Sequence, residues 1–276
     1  MLVHRSSPTH QTTVSIAGVP VGEPGLALIA GPCAAESERQ LRTVAERLAL
    51  MGIQLLRAGV YKPRTSPYSF QGLQEPGLEL LRIIKRDYGL GIVSEVMSVA
   101  QLDRAYDVFD CFQVGSRNMQ NFELLKALGQ TRKPVLLKRG LAATIEEFLG
   151  AAEYIVAGGN AQVILCERGI RSFDPATRNV LDLGAVALLK RLTHLPVLVD
   201  PSHATGRRDL VLPAARAAAA VGADGLIVEC HPTPEQSVSD AAQALSLDDL
   251  AQLVTEVSAV AQAVGRGLSY PVERAA

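Results

Sequence analysis

Along the chain, short runs of apolar and often β-branched residues alternate with segments in which apolar residues recur every three or four positions. The short runs predict buried strands, and the longer segments predict helices with one apolar face, such as that formed by Leu41, Val44 and Leu48. The predicted strands are Leu26–Cys33, Gln54–Tyr61, Gly91–Met97, Cys111–Arg117, Pro134–Arg139, Gln162–Arg168, Pro196–His203 and Gly225–His231.

The alternation of these strands with helices predicts an α/β protein with a parallel sheet covered by helices. Eight such units match a single (β/α)8 TIM barrel better than an open sheet. Capping-box signals, Ser37 with Gln40 and Thr144 with Glu147, mark the starts of two helices. We expect a loose N-terminal arm over residues 1–25, the (β/α)8 barrel over 26–266, and a C-terminal tail over 267–276.

The composition narrows the class of protein. Of the 276 residues, 48% are hydrophobic and 20% are charged, which is enough apolar material for a large core and excludes disorder of the whole chain. Lys and Arg number 27 against 28 Asp and Glu. This balance gives no bulk attraction to nucleic acid or to a membrane surface, so a local cluster must hold any bound anion.

The cysteines and the lengths of the apolar runs indicate the cellular compartment in which the protein is expected. Cys33, Cys111, Cys166 and Cys230 show no CxxC spacing, which favours a reducing environment. No run approaches the roughly 18 apolar residues of a membrane span, and no signal peptide is evident. We expect a cytoplasmic protein that binds neither nucleic acid nor membrane.

Three predicted strands end in side chains that bind metals. The first ends at Cys33, the seventh at His203, and the eighth reaches Glu229 near its end. Strand 8 pairs with strand 1 when a barrel closes, so these side chains converge at the carboxyl-terminal mouth, where barrel enzymes hold their active sites. Thiolate, imidazole and carboxylate together predict a divalent metal ion (Mn, Fe, Co or Zn), with Asp240 as a plausible fourth ligand.

Most of the remaining strands end in cations. Like charges about 4 Å apart repel by roughly 4 kcal/mol at an effective dielectric constant near 20, so a cationic cluster predicts a bound phosphate or carboxylate. Lys138 alone could instead be a Schiff-base lysine. The third strand contributes an acid, Glu95. The cations are Arg57, Lys62, Arg117, Lys138 and Arg168.

Five segments of the sequence resemble the motifs of a known enzyme family. They are Gly31-Pro32-Cys33, Arg57-Ala58-Gly59-Val60-Tyr61-Lys62-Pro63-Arg64-Thr65-Ser66, Gly115-Ser116-Arg117-Asn118-Met119-Gln120-Asn121, Leu137-Lys138-Arg139-Gly140 and Asp200-Pro201-Ser202-His203. In order and spacing, over about residues 25–265, the chain resembles the 3-deoxy-D-arabino-heptulosonate 7-phosphate (DAHP) synthases. The likeness is to the β-type branch of their first class, which also includes the octulosonate-phosphate synthases.

The resemblance implies a transferase that condenses phosphoenolpyruvate with erythrose 4-phosphate at the start of aromatic amino acid biosynthesis, the shikimate pathway. It places the metal on Cys33, His203, Glu229 and Asp240. It places phosphoenolpyruvate on Arg57, Lys62, Ser116, Arg117, Lys138 and Arg168, and the aldose phosphate on Arg64 and Thr65. Glu95 falls where the family positions a water, and Lys62 is also placed to move a proton. This chain has Ser116 where the family often has Ala, and Ala241 where Gly is usual.

Two other functions stay open. An octulosonate 8-phosphate synthase would use arabinose 5-phosphate, but its loop typically reads Lys-Ala-Asn-Arg-Ser, unlike Lys62-Pro63-Arg64-Thr65-Ser66. A catalytically silent barrel could act as a scaffold. For the enzyme we expect a homo-oligomer, a dimer or a tetramer, without the fused regulatory domains of some relatives and therefore without built-in feedback inhibition.

Overall fold

The structure, a computed structural model, describes residues 1–269 of the chain. Within this range the parallel strands β3 to β10 form a closed barrel, because β10 pairs with β3 as well as with β9. The strands are β1 (Val14–Ile16), β2 (Val19–Val21), β3 (Gly25–Gly31), β4 (Leu55–Arg57), β5 (Gly91–Glu95), β6 (Cys111–Val114), β7 (Val135–Lys138), β8 (Val163–Glu167), β9 (Val197–Val199), β10 (Gly225–Glu229) and β11 (Gly267–Leu268).

Helices surround the barrel, and the predicted (β/α)8 fold is confirmed. The helices are α1 (Glu38–Leu50), α2 (Glu75–Tyr88), α3 (Val99–Ala105), α4 (Phe122–Gly129), α5 (Ile145–Ala157), α6 (Leu183–Leu192), α7 (Pro201–Thr205), α8 (Arg208–Ala220) and α9 (Leu247–Ala263). Short 3₁₀ helices cover Ser116–Asn118 and Pro234–Gln236. None of the helices in residues 1–269 combines the length and apolar character needed to cross a membrane.

The helix starts test the two capping signals. The box at Thr144 is confirmed, since its hydroxyl accepts from Glu147 N while the Glu147 carboxylate accepts from Thr144 N. The Ser37 hydroxyl accepts from Gln40 N, but the Gln40 side chain accepts from Glu36 N instead of Ser37 N. Only half of that second box forms, because the Gln40 side chain instead bonds the backbone of the preceding loop, at Glu36 N and Ala34 O.

Side chains alternate along each strand between the barrel interior and the surrounding helices. Ala27 and Ile29 of β3 belong to the interior apolar cluster, whereas Leu26 and Leu28 pack in the outer core. Where β4 was predicted to continue to Tyr61, the ladder stops at Arg57. Beyond that residue only a single bridge, between Ala34 and Gly59, links the adjacent loops.

The N-terminal arm differs from the expected loose segment. Strands β1 and β2 pair as an antiparallel hairpin, and its residues Val14, Ile16, Val19 and Val21 are buried in the same cluster as the barrel interior. Apolar burial therefore orders this part of residues 1–25. At the other end, β11 lies parallel to β3, and residues 270–276 of the predicted tail are outside the described part of the chain.

Candidate active site

Four potential metal ligands meet at the carboxyl-terminal mouth of the barrel. Cys33 follows β3, His203 lies on α7, Glu229 ends β10, and Asp240 lies in the loop after it. One donor atom from each residue lies within 4.8 Å of all the others. The Cys33 Sγ is 3.3 Å from Asp240 Oδ2 and 3.8 Å from His203 Nε2, which is itself 3.8 Å from Glu229 Oε2. We call these residues the metal quartet.

Local backbone structure orients two of these ligands, His203 and Asp240. Asp200 caps α7 by accepting a hydrogen bond from His203 N over 2.9 Å, and its Oδ2 lies 2.8 Å from His203 Nδ1. The imidazole is thereby held with Nε2 toward the rest of the quartet. Asp240 has a φ of +57°, a left-handed conformation that aspartate tolerates better than most side chains.

Each ligand also has an outer partner. Asp200 Oδ2 contacts His203 Nδ1, and Lys62 Nζ lies 2.9 Å from Cys33 Sγ. Gln243 Nε2 donates to Glu229 Oε2 over 2.7 Å. Arg178 Nη1 donates to Asp240 Oδ1 over 2.9 Å. Such partners fix ligand orientation and adjust ligand basicity in metal sites.

The buried donors fit a divalent transition metal. Burial raises the pKa of the Cys33 thiol and raises that of Glu229 to about 7, so burial makes the charged form of each group costly. Burial lowers the pKa of His203 to about 3, which keeps its ring neutral. Glu229 Oε1 is buried and has no hydrogen-bond partner among residues 1–269. A cation would satisfy these groups, and a set containing a thiolate favours a transition metal over magnesium or calcium.

A cavity of about 520 Å³ opens beside the quartet. Cys33, His203 and Asp240 line it together with many cations. The predicted residues Thr65, Glu95 and Ser116 also line it, so most of the predicted site shares one cavity. The cations in its wall are Lys62, Arg64, Arg117, Lys138, Arg168, Arg171 and Arg178.

Arg57 differs from the other predicted cations. Its side chain is 3% exposed and lies outside the cavity wall, with Nη2 3.4 Å from the carbonyl oxygen of Gly31. Its Nε is buried without a hydrogen-bond partner in the described residues. The negative charges of Cys33 and Glu229 help to raise its pKa against the opposing effect of burial. In this structure Arg57 therefore interacts with the anionic forms of Cys33 and Glu229 and does not line the cavity.

Glu95 ends β5, and Gln113 lies on the neighbouring strand β6. Gln113 Nε2 donates to Glu95 Oε2 over 3.4 Å. A Cβ at Gly115 would lie only 2.0 Å from Glu95 Oε1, so a side chain there would displace the Glu95 carboxylate. Gln113 Oε1 and Ser116 Oγ are buried with no hydrogen-bond partner within the described range, and both residues line the cavity. These atoms are free to bind a substrate or a water.

The sequence interpretation gave no role to several residues of this site. Gln113 and Asp200 follow the interior residues Cys111 and Leu198 by two positions, so the period-two pattern of the strands could have found them. Lys138 follows Leu136 in the same way and also contacts Asp200. No periodic signal marks the loop residues, which are Arg171, Arg178, Asn179 and Gln243.

Comparisons with known proteins find relatives over nearly the whole chain. The model of the DAHP synthetase I family matches residues 11–265. The phospho-2-dehydro-3-deoxyheptonate aldolase of Thermotoga maritima is 50% identical, over 96% of this chain and 78% of that protein. The 2-dehydro-3-deoxyphosphooctonate aldolase of Syntrophotalea carbinolica is 32% identical, over 90% of this chain and 95% of its own length.

Solved structures show the same similarity. The crystal structure of the Thermotoga maritima DAHP synthase superposes with a TM-score of 0.93 at 49% identity, covering 97% of this chain and 78% of that one. A truncated form of the 3-deoxy-D-arabino-heptulosonate 7-phosphate synthase from the same organism has a TM-score of 0.90 at 45% identity and covers 97% and 98%.

Proposed function

Because the chain belongs to the DAHP synthetase I family, we propose that it is a 3-deoxy-7-phosphoheptulonate synthase acting in the first step of the shikimate pathway. The reaction joins phosphoenolpyruvate, D-erythrose 4-phosphate and water, and gives DAHP and inorganic phosphate. One observation carries the proposal: three members of the metal quartet, Cys33, His203 and Asp240, and a set of cations line one cavity of about 520 Å³.

The cations of the cavity wall would bind the phosphate and carboxylate groups of the two substrates. Arg117, Lys138 and Arg168 would bind the phosphate of phosphoenolpyruvate, with the buried Ser116 Oγ as a further donor. Lys62 would hold its carboxylate, with the buried Arg57 adding positive charge behind it. Arg64 and Thr65 would bind the phosphate of the aldose. Arg117 Nη1 donates to the carbonyl oxygen of Pro63 over 3.2 Å, which ties the two anion sites together.

Cys33, His203, Glu229 and Asp240 would hold the divalent metal. When bound there, the ion supplies Lewis-acid polarisation of the aldehyde oxygen of the aldose. The cations would bring C3 of phosphoenolpyruvate against the aldehyde carbon and keep the reactants in place. Lys62, whose Nζ contacts Cys33 Sγ and which lines the cavity, would give a proton to the oxygen that becomes a hydroxyl.

Water completes the balance of the reaction. Formation of the C–C bond leaves C2 of phosphoenolpyruvate electron-deficient, and Glu95, held by Gln113, would position the water that adds there. The bond between C2 and the phosphate oxygen then breaks and releases inorganic phosphate. Arg117, Lys138 and Arg168 would hold that leaving group as its charge increases.

The identity of the aldose is tested by phosphate-release kinetics on metal-stripped protein. We expect erythrose 4-phosphate to be the preferred substrate, since identity to the heptulosonate relative is 50% and to the octulosonate relative 32%. Each aldose is assayed with Mn²⁺, Fe²⁺, Co²⁺ and Zn²⁺ in turn. Preference for arabinose 5-phosphate would assign the chain to the octulosonate reaction. Absence of phosphate release with every metal and aldose would favour the silent scaffold.

The choice among Mn, Fe, Co and Zn stays a proposal that this assay resolves, because the donor set accepts all of them. Association into a dimer or tetramer also stays a prediction, and sedimentation equilibrium tests it. The cytoplasmic location and the lack of nucleic-acid or membrane binding remain expectations from the composition.

A further inference from the structure

One guanidinium group contacts two arms of the metal quartet. Arg178 lies in the loop between β8 and α6, and its Nη1 donates to Asp240 Oδ1 over 2.9 Å. The same atom lies 2.9 Å from Gln243 Oε1. Gln243 then donates from Nε2 to Glu229 Oε2 over 2.7 Å. Arg178 is thus linked directly to one ligand and, through an amide, to a second.

The two contacts of Gln243 fix its orientation. An amide oxygen only accepts hydrogen bonds and an amide nitrogen only donates them. With the cationic donor of Arg178 on one side, the Gln243 oxygen must face it, and the amide nitrogen faces the Glu229 carboxylate. Removal of the guanidinium would leave this amide without the partner that sets its direction.

The backbone around Arg178 is attached to the helix that carries a third ligand. Arg178 N donates to Thr205 O over 3.0 Å, and Asn179 N donates to Ala204 O over 2.9 Å. The Asn179 side chain donates to His203 O over 3.0 Å. At Gly206, where φ is +67°, an added Cβ would lie 2.5 Å from Arg178 Cβ, so the close approach requires glycine.

From these contacts we propose that Arg178 is a positioning residue, which holds Asp240 and Glu229 in the arrangement that binds the divalent metal. The inference rests on the metal site of the proposed function. Asp240 needs such support because its backbone is in a left-handed conformation, and its carboxylate is partly exposed.

A purely electrostatic role predicts the opposite effect. Arg178 is a cation beside a cation site, so its removal would tighten metal binding if Coulomb repulsion were its main contribution. If it positions the ligands, its removal weakens binding. The sign of the change in metal affinity therefore separates the two roles, and an exposed side chain's charge is already weakened by solvent.

The test is titration of metal-free protein with cobalt(II) alone, followed by the absorption band that a cysteine thiolate gives on binding cobalt. For Arg178→Met we expect affinity to fall roughly 10- to 100-fold, the usual effect of losing an outer partner, together with a change in the band. Arg178→Lys keeps the charge but loses the planar fork, so we expect weaker binding there as well. Melting of the metal-free proteins shows whether each variant folds.

Arg171→Met is the matched control. Arg171 lies in the same loop and lines the same cavity, so this change also removes one positive charge from the cavity wall. We expect its cobalt affinity to equal or exceed that of the unmodified protein. A double-mutant cycle of Arg178→Met with Gln243→Met should be non-additive, because both changes break one chain of hydrogen bonds.

The outcomes separate this inference from the proposed function. If the unmodified protein bound no cobalt, the metal site of the proposed function would be wrong. If it bound cobalt and Arg178→Met bound it equally well or more tightly, the positioning role would be rejected while the proposed function stood. Equal weakening by Arg171→Met, or strict additivity with Gln243→Met, would also reject it.

Discussion

The two ends of the barrel are built from the same strands but differ in chemistry. At the amino-terminal end, the interior residues Ile29 and Leu55 meet the apolar hairpin of β1 and β2. At the carboxyl-terminal end, the next inward positions hold charged side chains such as Arg57, Lys138 and Glu229. Two residues along a strand thus separate an apolar cluster from the charged side chains of the candidate site.

The difference shows how the fold divides stability from function. Burial of apolar surface at the closed end contributes favourably to folding, at roughly 25 cal/mol per Å². Burial of charged groups at the open end opposes folding, as the raised pKa values of Cys33 and Glu229 indicate. We therefore expect substitutions at the open end to change activity and those at the closed end to change stability.

The largest expected effect is at the open end. Cys33→Ala removes the thiolate from the metal quartet, and we expect phosphate release to fall by more than about 1,000-fold, since metal-assisted polarisation is worth several kcal/mol. Phosphate-release kinetics measure the loss, and cobalt titration shows whether metal binding is lost with it. The metal-free variant should unfold cooperatively, close to the unmodified protein in thermal melting. An active enzyme without the thiol would contradict the metal assignment.

The next effect belongs to the closed end. Ile16→Ala deletes a fully buried side chain of β1, and we expect the free energy of unfolding to fall by about 2–5 kcal/mol. Urea denaturation measures this change, and kcat measured well below the melting temperature should stay within about twofold. Ser15→Ala, at the exposed position between the two buried residues of β1, is the control and should change stability by less than about 0.5 kcal/mol. A large fall in kcat for the folded Ile16 variant would mean that the two ends are not independent.

The smallest effect is a pH dependence at the closed end. His194 stacks on His10 with ring centroids 4.1 Å apart, and its ring nitrogens contact Thr12 Oγ1 and the Leu2 carbonyl. Burial, and to a smaller extent the nearby charges of His10 and Arg5, lower the pKa of His194. The unfolded chain then takes up a proton before the folded protein does, so stability is lost as pH falls below about 6.5.

His194→Asn should lessen that dependence. Urea midpoints at about pH 7.5 and about pH 5.5 are compared for both proteins, and we expect the smaller difference in the variant. The kcat measured at a pH where both proteins are folded should be unaffected, because the ring contacts the N-terminal segment and not the mouth. An equal pH dependence in both proteins would show that other groups cause it.

The sequence alone determined the fold class and the metal quartet. Short continuous apolar strands that alternate with helices predict a covered parallel sheet, and closure of the barrel brings the first strand beside the last. Cys33 and Glu229 therefore meet although they are 196 positions apart, and the donor types already indicated a transition metal. The strand-end cations followed from the same rule, because parallel strands present their carboxyl ends at one face.

Only the tertiary structure decided how that site is supported and how the hairpin of β1 and β2 covers the amino-terminal end of the barrel. The three-residue strands of the hairpin are too short for a clear periodic signal, so their burial was not predicted. Arg178 and Asp240 are 62 positions apart in irregular loops, and their contact depends on how those loops fold over α7. Local periodicity reports which face of an element is buried, whereas contacts between loops arise from the packing of the whole chain.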